Sequence, residues 1–216
     1  MWLLVLLIGI PFVVSALYGS LNAGRRLRGI RRVFAVLGGI LLATGAVAFF
    51  GTMLSSLGVI PATFEWPVGR AGQIIQTRDG LHVVTHTPSG RVQIYDPEWH
   101  FVRAWNVDAG GGVFKAKLTP TGLLEVWTAR GLKRFLFAPD GRLVEAGSYP
   151  LSSYSDFPGD GGPGYVSTPF LLWIFANPFV AWLVAIIGMA MLAMSDSKRF
   201  KSKRQQIVGR ISRWMP

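Results

Sequence analysis

The sequence contains no cysteine and only three histidines, His82, His86 and His100, among 216 residues. The lack of cysteine excludes disulfides, thiolate metal sites, iron–sulfur clusters and a thiol nucleophile, so the fold must be held by its core alone. Acidic residues are scarce as well, 11 against 22 lysines and arginines. Charge is missing altogether from residues 1–24, 33–64 and 161–195, which hold no Asp, Glu, Lys, Arg or His. Ionisable residues inside a membrane mark proton relays and ion pathways. Runs this quiet argue against a self-contained transporter or channel, and they offer no histidine to ligate a haem.

What these runs do supply is apolar length. A helix needs about 20 apolar residues to cross a bilayer, and we expect three transmembrane helices, over residues 1–21, 33–59 and 165–194. The loop 22–32 between the first two carries Arg25, Arg26, Arg28, Arg31 and Arg32, and the tail 195–216 carries Lys198, Arg199, Lys201, Lys203, Arg204, Arg210 and Arg213. Positive charge favours the cytoplasmic side. Both basic segments lie there only if the N-terminus is outside, residues 60–164 are outside and the C-terminus is inside. A cleaved signal peptide is the alternative for the first span, but Trp2 follows Met1 with no basic residue, and no small-x-small cleavage pattern follows. The expected location is a bacterial inner membrane, with a periplasmic N-terminus. Twelve of the 22 basic residues fall in the loop and tail, so topology explains much of the +11 net charge and no nucleic-acid partner is implied.

Three local patterns refine the membrane part. Ala35, Gly39 and Ala43 form a small-residue face at helix-packing spacing. In the third run, Asn177-Pro178 matches a helix start, Asn as N-cap and Pro at the first helical position, with an aromatic interfacial segment from Tyr165 to Phe175 before it. Thr168-Pro169 matches equally, and the apolar character of residues 169–176 favours this earlier start with a kink at Pro178. In the tail, Ile207, Val208, Ile211, Trp214 and Met215 fit one face of a short amphipathic helix suited to anionic lipids or a partner subunit.

From 73 to 149 the composition changes to short runs of Val, Ile, Leu, Phe, Trp and Thr divided by Gly, Pro and Asp turns. Pro presets φ in a turn and Gly accepts the positive φ that closes a hairpin. Eight antiparallel strands are predicted, at 73–77, 81–87, 91–95, 101–107, 113–118, 123–128, 133–137 and 142–147. Val92, Ile94, Phe101 and Ala104 alternate with Gln93 and Arg103, the pattern of a sheet with one buried and one wet face. The run Pro-Gly-Asp-Gly-Gly-Pro-Gly at 158–164 reads as a linker, with no reason to be stranded.

A shift of 42 residues places Thr77 on Thr119, Gly80 on Gly122, Leu81 on Leu123, Tyr95 on Phe137, Pro97 on Pro139 and Phe101 on Leu143. Four strands in such a period resemble β-propeller blades of the NHL and WD40 type. Two blades do not close a ring, since propellers use about four to eight. The fold class expected is thus three transmembrane helices plus an all-β antiparallel domain of two four-stranded units, either a small sandwich or a partial propeller with edges open to partners.

No catalytic constellation is visible. His82 and His86 share a face of one strand but lie about 13 Å apart at strand rise, too far to chelate one metal. Asp79, Asp96, Asp108 and Asp140 fall in predicted turns, where a carboxylate caps its own backbone. Ser152, Ser153 and Ser155 lack a nucleophile-elbow context. No cofactor and no metal site are expected. The function expected is that of a non-catalytic accessory or scaffold subunit of a larger membrane complex, respiratory or photosynthetic complexes being one home, with other integral membrane subunits as partners. The alternatives are a stand-alone ligand-binding or sensing protein, and an enzyme of the outer domain using the three histidines.

Overall fold

The structure is a computed structural model and describes residues 2–195; the basic tail, with Lys198, Arg199, Lys201, Lys203, Arg204, Arg210 and Arg213, lies outside the described residues. The described residues divide into two compact units, one formed by residues 2–5 and 48–180, the other by 6–47 and 181–195.

The helical unit is built on α1 (Trp2–Arg26), α2 (Ile30–Ser56) and α4 (Pro178–Ser195). Helices α2 and α4 are long and apolar enough to cross a membrane. A helix of this composition in a soluble core would be mostly buried, yet α4 buries only 17% of its most apolar 18 residues. Gly29, at φ +61°, turns the chain from α1 into α2. At its other end α2 stops in a Schellman motif: Gly58 takes φ +74°, its N–H reaches the Ser55 carbonyl and the Val59 N–H reaches that of Leu54.

Small residues let these helices approach closely. A Cβ added to Gly38 would lie 2.8 Å from the Gly188 carbonyl, and one added to Gly45 would lie 2.6 Å from that of Ala181. Gly39 meets Ser20 of α1 instead, and Ala35 and Ala43 are buried. The glycines of α2 therefore serve two neighbours within the chain.

The start of α4 differs from the favoured expectation. Asn177 is extended at φ −142° and ψ 116°, and it separates a single helical turn, α3 (Trp173–Ala176), from α4. Its Oδ1 accepts the Phe179 N–H at 2.9 Å. The later start wins over a kinked helix from Pro169 because Asn caps the first turn, while Pro178 at the first helical position has no N–H to lose.

The other unit holds two antiparallel sheets that do not close on themselves. Strands β1 (Arg70–Gln76), β2 (His82–His86), β3 (Arg91–Tyr95) and β4 (Phe101–Asn106) form one meander, and β5 (Phe114–Leu118), β6 (Leu124–Thr128), β7 (Lys133–Phe137) and β8 (Leu143–Ser148) form the second. Backbone features recur at an offset of 42. Gly80 and Gly122 donate to Thr77 and Thr119 in matching turns, and the hydroxyls of those threonines accept the N–H groups of Leu81 and Leu123. A register shift follows Ile94 in β3 and Leu136 in β7. Even the left-handed positions correspond: Trp99 stands where Gly141 does, and Leu132 where Gly90 does, all at positive φ.

The sheets pack face to face. Val83, Val92, Ile94 and Trp105 of the first meet Phe114, Leu124, Val126, Phe135 and Phe137 of the second in one core. On the outer face of the second sheet, Arg134 links Glu125 of β6 at 2.6 Å and Glu145 of β8 at 2.9 Å.

Two expectations about this unit are corrected. The first sheet is not wet on one face: every residue of β3 is buried, because segments 60–68 and 166–176 cover its far side. Nor is the Gly/Pro run a bare linker. Gly162–Tyr165 forms β9, paired with β1, and Asp160 binds the edge of β5, donating its N–H to the Ala116 carbonyl and accepting the Leu118 N–H on its carboxylate. Gly161 holds φ +65°, and a Cβ there would strike the Ile74 carbonyl. The chain thus covers the facing edges of β1 and β5 with its own backbone, which leaves β8, exposed along all six residues, as the open edge of the second sheet.

Candidate functional site

The far face of the first sheet gathers three buried polar side chains, His86, Arg91 and Gln93. Register places His86 opposite Arg91 and Val84 opposite Gln93, so His86, Arg91, Gln93 and Tyr95 share this face. Arg91 is fully buried, and no carboxylate pairs with it among the described residues. Its Nη1 donates to the Ile60 carbonyl and its Nη2 to those of Pro61 and Phe64, each at 3.0 Å. The Nε finds no acceptor among the described residues. Burial pulls the guanidinium below its ordinary range, with Tyr95 opposing that shift.

Gln93 acts as a strand partner in side-chain form. Its Oε1 accepts the Trp66 N–H at 2.7 Å and its Nε2 donates to the Trp66 carbonyl at 2.8 Å and to the Tyr95 hydroxyl at 3.0 Å. Asn106 at the end of β4 donates to the carbonyls of Ser55 and Gly90. Irregular backbone taken out of water needs partners, and these three side chains supply them to the segment that leaves α2.

His86 does the same for the segment that enters α4. Its Nε2–H donates to the Ala176 carbonyl at 2.9 Å, which leaves Nδ1 to accept from the Ser89 hydroxyl at 2.6 Å. Burial lowers its pKa to about 4, the carbonyl bond opposing only in part, so the imidazole is neutral at pH 7. Beside it the Trp66 indole N–H donates to the Phe175 carbonyl at 3.1 Å. The Thr52 hydroxyl, one turn from the end of α2, bonds its own helix at Ala48 and approaches the same carbonyl at 3.4 Å. The seam joins β3 to the segment that follows α2 and β2, through His86, to the segment that precedes α4.

No known protein-family model matches the chain. No curated protein matches it either. Function must be read from the geometry.

The three histidines serve three separate environments. His82 stacks on Trp99 at 4.1 Å between ring centroids, His86 lies in the seam, and His100 is exposed beside Asp96, 3.1 Å away. Among the described residues no three His, Asp or Glu side chains could hold a metal. Asp96 accepts the His100 backbone N–H and Asp140 that of Arg142, both as turn caps, whereas Asp108 pairs with Lys133. Ser152 and Ser153 lie in a 3-10 turn, Leu151–Ser153, and Ser155 follows it. Nearby, Lys115 donates to the carbonyls of Tyr154 and Phe157, while Trp127 is sandwiched between Tyr149 and Phe157 at 4.2 and 4.6 Å. These contacts clasp the segment after β8 to the second sheet.

Arg25 and Arg26 occupy the last turn of α1 and Arg31 and Arg32 the first turn of α2, with Arg28 in the connection. None of the five forms an ion pair among the described residues. A cleft of about 420 Å³ opens beside the seam, bordered by Arg70, Tyr165, Trp173, Asn177 and Val180. Sequence reasoning missed Arg91 and Gln93 as functional positions, since polar residues alternating along a strand look like a solvent face.

Proposed function

We propose that this chain is a non-catalytic accessory or scaffold subunit of a larger bacterial inner-membrane complex, with three spans, a periplasmic N-terminus and β-domain, and a cytoplasmic C-terminus. The observation that carries the reading is the seam. Arg91, Gln93 and His86, polar groups that elsewhere could do chemistry, are bonded to backbone and fix the β-domain to the chain ends of α2 and α4. Polar groups committed in this way to their own backbone suit a positional role. The exposed apolar faces of the helices, Val33, Leu37 and Ile40 on α2 and Leu183 and Ile187 on α4, would meet lipid or neighbouring subunits, and the open edge of β8 would meet a partner strand. Anionic lipids would meet the basic loop and tail. In this reading the 42-residue units are two blades of propeller type whose inner edges the chain covers itself.

Purification in mild detergent tests the proposal. Defined partner chains should co-purify, and recovery of the chain only as a partner-free monomer would overturn it. The cleft beside Trp173 favours a second reading, a stand-alone binding protein, and that partner-free monomer is the result it requires.

A further inference from the structure

Residues 165–173, which lead into α3 and α4, carry the two most exposed large apolar side chains of the β unit, within a run of further exposed ones. Phe170 and Leu171 are each 82% exposed, Tyr165 56%, Trp173 45% and Leu172 40%. Their backbone is nonetheless tied down. Leu172 N–H closes a 3-10 turn on Pro169, the Trp173 indole donates to the Thr168 carbonyl at 3.1 Å, and the Thr168 hydroxyl accepts the Gly69 N–H at 3.1 Å. A contiguous apolar patch held rigidly outward marks an interaction surface.

We infer that this turn is a wedge seated in the headgroup and upper acyl region of the bilayer leaflet on the β-domain side. The inference rests on the membrane reading proposed above. Two placements select lipid as the occupant. Phe175, two residues past Trp173, has its carbonyl against Thr52 in the penultimate turn of α2, and α4 begins at Pro178. The wedge therefore lies level with the ends of both membrane-capable helices, where the apolar core of a bilayer gives way to headgroups. Its composition fits that boundary, because Trp and Tyr concentrate where one end of the ring is apolar and the other wet. Arg70, exposed at the rim of the adjoining cleft between Tyr165 and Trp173, has no ion pair among the described residues and would face lipid phosphate.

The absence of native cysteine permits a direct test. Single variants Leu171→Cys, Leu183→Cys and Leu151→Cys, labelled with an environment-sensitive fluorophore, are placed in nanodiscs of mixed phosphatidylcholine and phosphatidylglycerol. Quenching by spin-labelled lipid is compared with quenching by aqueous iodide. The probe at 171 should be quenched several-fold more by shallow lipid labels than by iodide, that at 183 by deep lipid labels, and that at 151, on the body of the β-domain, by iodide alone. Iodide access at 171 equal to that at 151, with 183 still in lipid, overturns the wedge and leaves the membrane reading standing. Iodide access at 183 overturns both.

Discussion

At the scale of the residue, Arg91 shows how a charge can be structural when no ion pair answers it among the described residues. It is an always-charged side chain in a place where charge is costly, and three carbonyls of one irregular loop share it. Arg91→Met would keep most of the volume and strand those acceptors, at roughly 3 kcal/mol given about 1–3 kcal/mol for an unsatisfied buried group. Thermal unfolding followed by tryptophan fluorescence should show a clear drop in Tm, and limited proteolysis should open the chain between residues 60 and 66. An unchanged Tm would show that the loop is held by its apolar contacts alone. His86 gives a pH signature of its own. Its folded pKa of about 4 lies below the ordinary 6.5, so below pH 6.5 the unfolded chain binds a proton that the folded chain refuses. Stability must then fall as the pH drops from 6.5 toward 4, by up to about 3 kcal/mol, and level off below that. His86→Gln should be less stable at pH 7.5 yet flatter between pH 7.5 and 4.5; an equally steep profile would assign the acid sensitivity to other groups.

At the scale of the element, the repeat is written in backbone conformation more strongly than in side chains. Gly90 and Leu132 occupy equivalent left-handed positions, at φ +61° and +50°, but only one has room for a side chain. A Cβ on Gly90 would lie 3.3 Å from the Val107 carbonyl and 3.4 Å from Ser56 Cα, whereas Leu132 is half-buried at a β-turn. Leu132→Gly should be neutral or stabilising by up to about 1 kcal/mol, since a left-handed non-glycine residue costs about 1–2 kcal/mol and some packing is lost. Gly90→Leu should destabilise by more than that cost. Chemical denaturation of both variants measures the contrast, and equal effects would remove the steric account. Trp99, the partner of Gly141, keeps its positive φ through stacking on His82. The strands themselves were legible, β3 and β7 to the residue, because Gly, Pro and Asp bracket each short β-branched run. The seam was not. Its partners, residues 60–66 and 175–176, have no periodicity to read, and whether Arg91 and Gln93 face water or protein depends on chain that returns from far away in sequence. The same holds for β9, where a strand built from Gly162, Pro163 and Gly164 is imposed by the exposed edge of β1 rather than by its own propensity.

At the scale of the whole molecule, the five arginines of the first loop are explained by orientation better than by helix stability. Arg25 and Arg26 end α1, where the helix dipole welcomes them, but Arg31 and Arg32 begin α2, at its positive end. There each costs a few tenths of a kcal/mol, up to about 1, so α2 gains nothing locally from them. In the topology proposed above, retention of positive charge on the cytoplasmic side would supply the reason. Single-cysteine variants in intact spheroplasts make this measurable, because the chain has no cysteine of its own. A membrane-impermeant maleimide should label Leu151→Cys and spare Arg28→Cys until the membrane is broken. Replacing Arg25, Arg26, Arg31 and Arg32 with Gln in the Arg28→Cys variant should make a fraction of the chains reactive at 28 from outside, as orientation loses its main determinant. If Arg28→Cys reacts in intact cells while all the other arginines are present, the proposed topology is inverted. If it stays protected after all four are replaced, the basic tail alone sets orientation, and the loop is free to hold acidic lipids or a partner instead.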